Sequence, residues 1–228
     1  MNQSKIKRRL ISLLLLGAIL LTVPLSAAAN TPSFPFTDVA QNHWARSYIE
    51  SVHAESVMTG MTATSFGSST HLNRVMAVAT IFRMYHGRAA NANDSRVNPF
   101  ADVTTENWFA PYVTWAYNND IVEGVGNNRF APLDRLTREQ FAVILFRYAE
   151  SEDFNVDIPA AFNLNSFTDH GQVSSWATAA MRFVNYNDIL QGASATTLAP
   201  RGHTTRAQSA ALLYRFLNFA EEQSEDAA

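Results

Sequence analysis

The sequence contains no cysteine, and its only lysines are Lys5 and Lys7. Without cysteine the chain cannot form disulfides, thiolate metal sites, a thiol nucleophile or a thiol-linked lipid anchor. Long apolar runs are equally scarce, because residues 10–23 form one such stretch and no second run follows it. A membrane span is therefore not expected in the chain that follows this run.

Residues 1–29 have the pattern of a secretory signal peptide. Basic residues come first, the apolar run 10–23 follows, and Pro24 then precedes the small residues 26–29. The run holds 14 residues, fewer than the roughly 20 that a spanning helix needs. We therefore expect cleavage after Ala29 and secretion of the remaining chain.

The chain that remains after this cleavage is acidic. The signal peptide holds four of the 17 basic residues, which leaves 13, all arginine, against 20 acidic residues and gives a formal net charge of −7. An acidic surface repels polyanions at long range, so nucleic acid is not an expected partner. Any anion that binds must instead be held in a specific pocket.

Three copies of one motif divide the mature chain into repeats. The motif is phenylalanine, any residue, aspartate, and its copies are 64 and then 67 residues apart. In every copy a tryptophan stands 16 residues before a glycine, the glycine 14 before an arginine, and that arginine nine before another. Self-similarity of this kind indicates a repeat architecture. We assign the segments as follows: repeat 1, 30–92; repeat 2, 93–157; repeat 3, 158–220; and an acidic tail expected to fray, 221–228.

Each repeat begins with the pattern of an amphipathic helix. Apolar residues recur every three or four positions after Trp44, Trp108 and Trp176, which predicts about 12 to 14 helical residues. The helix is expected to end where glycine supplies a left-handed backbone, at Gly60, Gly124 and Gly192. A loop follows, with Phe-Ala-Pro at 130–132, Leu-Ala-Pro at 198–200 and a weaker counterpart at 66–68. Polar or mixed segments at 87–98 and 151–166 are predicted linkers.

A second helix follows the loop in each repeat. Residues 137–140 and 205–208 have the pattern of a capping box, in which threonine and glutamine satisfy each other's backbone N–H groups. Repeat 1 has Asn73 and Met76 instead, so its helix is expected to fray more at its start. These helices are apolar on two sides, and one two-helix unit cannot cover them. The three units are therefore expected to pack together in an all-α fold.

The ordered set of motifs resembles the S-layer homology domain over residues 34 to about 219. The resemblance rests on F-x-D, tryptophan, glycine, F-x-P and T-R-x-Q, each at fixed spacing in three copies. It implies a pseudo-threefold unit around a central three-helix bundle. It also implies non-covalent attachment to secondary polysaccharide of the bacterial cell wall, often through pyruvylated N-acetylmannosamine.

Four residues in each repeat are candidate ligand-binding residues, with no cofactor and no metal; the resemblance implies the aspartates, glycines and arginines, and the tryptophans could stack on the apolar face of a sugar. The candidates are Asp38, Trp44, Gly60 and Arg74; Asp102, Trp108, Gly124 and Arg138; Asp169, Trp176, Gly192 and Arg206. An arginine that begins a helix lies beside unpaired amides and the positive end of the helix dipole, and its planar fork suits a carboxylate. Because Met76 and Asn73 depart from the motif, the site of repeat 1 is expected to be the weakest.

Structural roles are alternatives for several of these residues. Each motif aspartate could form an ion pair with a motif arginine, and the tryptophans could belong to the core. The later arginines Arg83, Arg147 and Arg215 are interpreted as structural, because they lie near helix ends and favour the dipole.

Alternatives also exist for the function. Secreted glycoside hydrolases carry such repeats as appendages, but no catalytic residue is predicted here. Carboxylate pairs such as Glu152 and Asp153 lie in linkers, without the fixed separation that glycoside hydrolysis needs. The other two alternative functions are a structural surface-layer component and a module that binds peptidoglycan. A protein cargo, or self-association, stays open as a partner.

Overall fold

A computed structural model describes residues 34–86 and 98–226 of the chain. The predicted signal peptide, 1–29, and most of the first predicted linker lie outside the described residues. The described part is helical and holds no β strand, so the predicted all-α fold is confirmed. Its six α-helices are α1 (Arg46–Ala54), α2 (Arg74–His86), α3 (Ala110–Asn118), α4 (Arg138–Ser151), α5 (Thr178–Tyr186) and α6 (Arg206–Asp226).

The first helix of each repeat is shorter than the sequence pattern predicts. Each of α1, α3 and α5 has nine residues and begins just after the tryptophan. The left-handed residues that follow are Ser56, Asp120 and Asp188, with φ of 62°, 59° and 55°. The predicted helix-ending role of the glycines is therefore wrong, because the chain turns four residues before each of them.

Packing between helices runs from one repeat to the next. Helix α2 packs against α3, α4 against α5, and α6 returns to pack against α1. Aromatic pairs mark these contacts, with ring centroids 5.2 Å apart for Phe82 and Trp115 and 5.3 Å apart for Phe146 and Phe183. Each repeat therefore covers the second helix of its predecessor, and repeat 1 covers that of repeat 3.

The second helices meet at the centre of the molecule. At their N-terminal ends the N–H of Leu72 donates to the carbonyl of Thr204 (2.9 Å), that of Thr204 to Leu136 (3.1 Å), and that of Leu136 to Leu72 (2.9 Å). Further down, the rings of Tyr148 and Phe216 lie 5.7 Å apart between α4 and α6. This closed ring of hydrogen bonds gives the three helices a common start, as a pseudo-threefold bundle requires.

The starts of the second helices follow the sequence closely. Both predicted capping boxes are present, with Gln140 and Gln208 accepting from the N–H groups of Thr137 and Thr205 at 2.9 Å. The Asn73 side chain accepts from the N–H of Met76 at 2.9 Å, without a returned bond. The greater fraying of α2 at this end stays a prediction.

The predicted acidic tail and the second predicted linker both have defined structure. Helix α6 continues through Asp226, so the predicted fraying of the acidic tail is wrong as far as that residue. In the second linker, Phe154 packs on Phe219 with centroids 6.1 Å apart, and the Arg182 guanidinium donates to the Phe162 carbonyl at 2.7 Å. No helix of the described residues is both long enough and apolar enough to cross a bilayer.

The loop before each second helix has a left-handed residue at its centre. This residue is Gly67, Ala131 or Ala199, with φ of 74°, 56° and 50°. Glycine adopts this conformation without steric cost, whereas alanine is strained in it. The segment 66–68 matches the other two loops least well in sequence, yet its glycine is the residue best suited to the backbone geometry that the three loops share.

We expect Ala199→Gly to raise the free energy of unfolding by about 1 kcal/mol, because it removes this strain. Gly67→Ala should lower it by at least as much, because a Cβ there would also lie 2.8 Å from Cγ of Met61. Urea denaturation followed by circular dichroism measures both changes. Equal midpoints for the two variants and the parent would contradict this account of the loops.

Candidate ligand-binding grooves between the repeats

The arginine that begins each second helix reaches into the next repeat. Its Nε and Nη2 groups donate to two backbone carbonyls there, an arrangement that we call an arginine bridge. Arg74 bridges Phe130 and Glu123 (both 2.7 Å), Arg138 bridges Leu198 (2.8 Å) and Gln191 (2.7 Å), and Arg206 bridges Phe66 (2.8 Å) and Thr59 (2.6 Å). The Arg74 and Arg206 guanidinium groups also lie 4.6 Å from the ring centroids of Phe130 and Phe66. Every bridge therefore joins two repeats.

The remaining nitrogen of each bridging arginine has no protein partner. Nη1 makes no hydrogen bond or ion pair within the described residues, and it is not sealed from solvent. The rest of the side chain is buried, since Arg74, Arg138 and Arg206 are only 9%, 6% and 5% exposed. Burial lowers the pKa of each guanidinium. A buried cation with one free donor is a favourable place for an anion.

The backbone amides beside these arginines are not free. The N–H of Arg138 donates to the Gly202 carbonyl and that of Glu139 to the Pro200 carbonyl, both at 2.9 Å. The amides of α2 and α6 are bonded in the same way to the loop of the next repeat. The expectation of unpaired amides at these helix starts is therefore wrong, and the arginine side chain is the remaining donor.

The motif aspartates hold the left-handed loops. Each carboxylate accepts two backbone N–H bonds at 2.7 to 2.8 Å from its own repeat: Asp38 from Phe66 and Gly67, Asp102 from Phe130 and Ala131, Asp169 from Leu198 and Ala199. None of them forms an ion pair with a bridging arginine in the described structure. The alternative that they pair with the motif arginines is therefore wrong, and Asp102 instead forms an ion pair with Arg129 of its own repeat at 3.7 Å. None lines either groove described below, so their position does not support the hypothesis that they bind sugar hydroxyls.

The motif glycines make room for the motif phenylalanines. A Cβ on Gly124 would lie 2.7 Å from both Cε1 of Phe100 and the Arg129 carbonyl oxygen, and Gly60 and Gly192 have equivalent neighbours. None of these glycines has a left-handed backbone. Close packing therefore requires glycine here, and it leaves the backbone of Gly60 and Gly124 open to a groove.

Two grooves lie between the repeats. Groove 1 encloses about 220 Å³ between Arg206, residues 58–61, Met76, Arg83 and Trp108. Groove 2 encloses about 380 Å³ between Arg74, residues 121–125, Gln140, Arg147 and Trp176. Each groove thus combines an arginine of one repeat, the loop and second helix of the next, and the tryptophan of the third.

This arrangement corrects two expectations about individual residues. Trp108 and Trp176 are 64% and 59% exposed, and Trp44 is 58% exposed, so the tryptophans are not core residues. Arg83 and Arg147 line grooves 1 and 2, so their interpretation as purely structural residues does not account for where they lie.

Repeat 1 does not form a site by itself, because its candidate arginine and glycine lie in two different grooves. Arg74 faces the loop of Gly124, whereas Gly60 faces Arg206. The third equivalent set is Arg138, Gly192, Arg215 and Trp44, in which the guanidinium of Arg215 lies 5.4 Å from the ring centroid of Tyr48. The predicted weakness of repeat 1 therefore does not correspond to any one groove.

Fold and grooves together define a class of protein: a three-repeat helical module whose candidate sites form where repeats meet. The chain matches the S-layer homology domain over residues 35–74, 99–142 and 166–210, more than half of its length. It belongs to the S-layer homology family.

Several curated proteins share this module. An endoglucanase of Bacillus sp. (strain KSM-635) is 29% identical over 222 residues, 95% of this chain and 23% of that protein. The exoglucanase XynX of Acetivibrio thermocellus is 30% identical over 202 residues, 88% and 18% of the two chains. The surface-layer 125 kDa protein of Lysinibacillus sphaericus is 30% identical over 119 residues, which are 51% of this chain and 10% of that protein. This chain spans less than a quarter of each relative, and the comparisons support anchoring at the cell surface.

Replacing one arginine bridge should weaken the whole assembly. Arg206→Lys keeps the charge but cannot span two carbonyls, so we expect a loss of about 2 kcal/mol in the free energy of unfolding. Arg201→Lys, at an exposed position, is the matched control and should change little. Chemical denaturation compares the two. An Arg206→Lys variant as stable as the control would contradict the bridging role.

The aspartate loops predict acid sensitivity. Burial acts to raise the pKa of Asp38, Asp102 and Asp169, but the donated backbone N–H groups outweigh it and hold each pKa below its ordinary value of 3.8. The contribution of these groups to stability is therefore complete above about pH 4 and is lost as the pH falls through the lowered pKa values. Melting temperatures measured from pH 6 to pH 2 test this. Asp102→Asn should reduce the fall in melting temperature at acid pH, and an unchanged fall would contradict the assignment.

Proposed function

We propose that this chain attaches without covalent bonds to the bacterial cell wall by binding an acidic wall polysaccharide in the grooves between its repeats. The observation that carries the proposal is the free Nη1 of a buried arginine in each of two open grooves. An arginine held in place by two other hydrogen bonds is pre-organised, so binding costs little side-chain entropy. Secretion through residues 1–29 is part of this proposal.

The chemistry of the grooves suits a sugar that bears a carboxylate. Nη1 can donate to a carboxylate oxygen, and an exposed tryptophan offers a flat apolar surface to the face of a pyranose ring. Met61 in groove 1 and Val125 in groove 2 also line the grooves and are 49% and 52% exposed. A pyruvyl ketal carries such a carboxylate, so pyruvylated wall glycan is the ligand that we propose.

A binding role fits these grooves better than hydrolysis. Groove 1 is lined by no carboxylate, and groove 2 by Glu123 alone, which is 2.9 Å from Arg147. Glycoside hydrolysis uses two carboxyl groups at a fixed separation across the bond that is cut. We therefore propose a non-enzymatic module.

Binding to purified sacculi tests this function. The mature chain should sediment with sacculi that keep their non-peptidoglycan polymer and should stay in solution when that polymer has been removed. Equal sedimentation with both would favour peptidoglycan as the ligand, and sedimentation with neither would favour the surface-layer assembly role.

Substitutions in the grooves locate the binding site. Trp108→Ala with Trp176→Ala should reduce binding at least tenfold, since each stacked ring contributes roughly 1 kcal/mol and the two grooves act together. Leu133→Ala is the matched control, because Leu133 is 73% exposed and lines neither groove. The bridging arginines are unsuited to this test because they hold the repeats together. Unchanged binding by the double tryptophan variant would contradict the proposal.

A further inference from the structure

The two grooves carry different charge. Groove 1 is lined by two arginines, Arg83 and Arg206, and by no acidic residue. Groove 2 is lined by Arg74 and Arg147 together with Glu123. At neutral pH the lining of groove 1 has a formal charge of +2 and that of groove 2 a formal charge of +1.

The second arginine of groove 1 is free to bind a ligand. Arg83 is half-buried on helix α2 and makes no hydrogen bond or ion pair within the described residues. Burial first, and repulsion from Arg83 second, lower the pKa of Arg206 to about 10, while Asp38 acts in the opposite direction. The two neighbouring cations repel each other, and an anion bound between them would remove that repulsion.

The second arginine of groove 2 already has a partner. Nη2 of Arg147 donates to Oε1 of Glu123 at 2.9 Å. The backbone carbonyl of the same Glu123 accepts the bridge from Arg74, just as the carbonyl of Thr59 accepts the bridge from Arg206. Thr59 and Glu123 therefore occupy equivalent positions, and the charge difference between the grooves arises at this position.

We propose that groove 1 selects a sugar with two acid groups, whereas groove 2 accepts one with a single carboxylate, and that Thr59 and Glu123 determine this difference. The proposal rests on the proposed function, since both grooves must hold wall glycan. In groove 1 the first acid group meets Nη1 of Arg206 and the second meets Arg83. In groove 2 a second negative charge would have to displace Glu123 from Arg147 or lie beside it.

Two probes and four variants test the proposal by nuclear magnetic resonance on protein with 15N-labelled tryptophan. The probes are glucuronic acid, with one carboxylate, and glucuronic acid 1-phosphate, with a carboxylate and a phosphate. The indole N–H of Trp108 reports groove 1 and that of Trp176 reports groove 2, with both signals assigned from Trp108→Phe and Trp176→Phe. The matched pair Thr59→Glu and Glu123→Thr exchanges the determining residue, and because both positions are exposed the fold should be kept.

We expect the Trp108 signal to respond to the 1-phosphate at about fivefold lower concentration than to glucuronic acid, the size of effect given by one partly screened charge contact. The Trp176 signal should respond to both probes within twofold. Thr59→Glu should remove the preference at Trp108, and Glu123→Thr should create it at Trp176.

Three results would overturn the proposal. The first is an equal preference at both tryptophans, the second is a preference that the exchanged residues leave unchanged, and the third is no response to either probe. Sacculus binding separates these from failure of the proposed function. If the double tryptophan variant loses sacculus binding while the grooves show no difference, only the charge selectivity is wrong. If sacculus binding is also independent of the tryptophans, the grooves are not the wall-binding site.

Discussion

The arginine bridge is the interaction on which the rest of this structure depends. A guanidinium that begins one second helix donates to two carbonyls of the following repeat, and this occurs three times around the molecule. A buried cation without hydrogen bonds is costly, so each bridge is satisfied only when its neighbouring repeat is folded and in place. With the backbone ring through Leu72, Leu136 and Thr204, the bridges make the assembly of the repeats cooperative.

The same bridge couples stability to the candidate binding site. Two of its three nitrogens hold the next repeat and the third is free, and Arg74 and Arg206 each line a groove together with the tryptophan of the remaining repeat. No repeat holds a complete groove, so a folded assembly is a condition for the proposed binding. The charge difference between the grooves comes from the exposed positions Thr59 and Glu123, whose side chains can vary without disturbing the bridges.

Local features were predictable from sequence because their causes are local. The capping boxes at Thr137 and Thr205 need only four residues, and the apolar periodicity needs only one helix. The roles of particular side chains were less predictable. Gly124 was expected to turn the chain, whereas its actual constraint is the ring of Phe100, 24 residues earlier in the chain. For Trp176, a candidate ligand-binding residue, a place in the core stayed an alternative; it is exposed beside a helix of repeat 2, a neighbour that periodicity does not specify.

The sequence by itself determined that this protein is a threefold repeat of helix, loop and helix, because identical spacings and helical periodicity are properties of the chain. It also marked the bridging arginines and the groove tryptophans. Only the tertiary structure decided which repeat each of them faces. Helices that recur with the same spacing could pair within a repeat or between repeats. They pair cyclically between repeats, because the apolar faces of each second helix must be covered by neighbouring repeats. That pairing places Arg83 beside Arg206 and Arg147 beside Arg74, where neither spacing nor composition could place them.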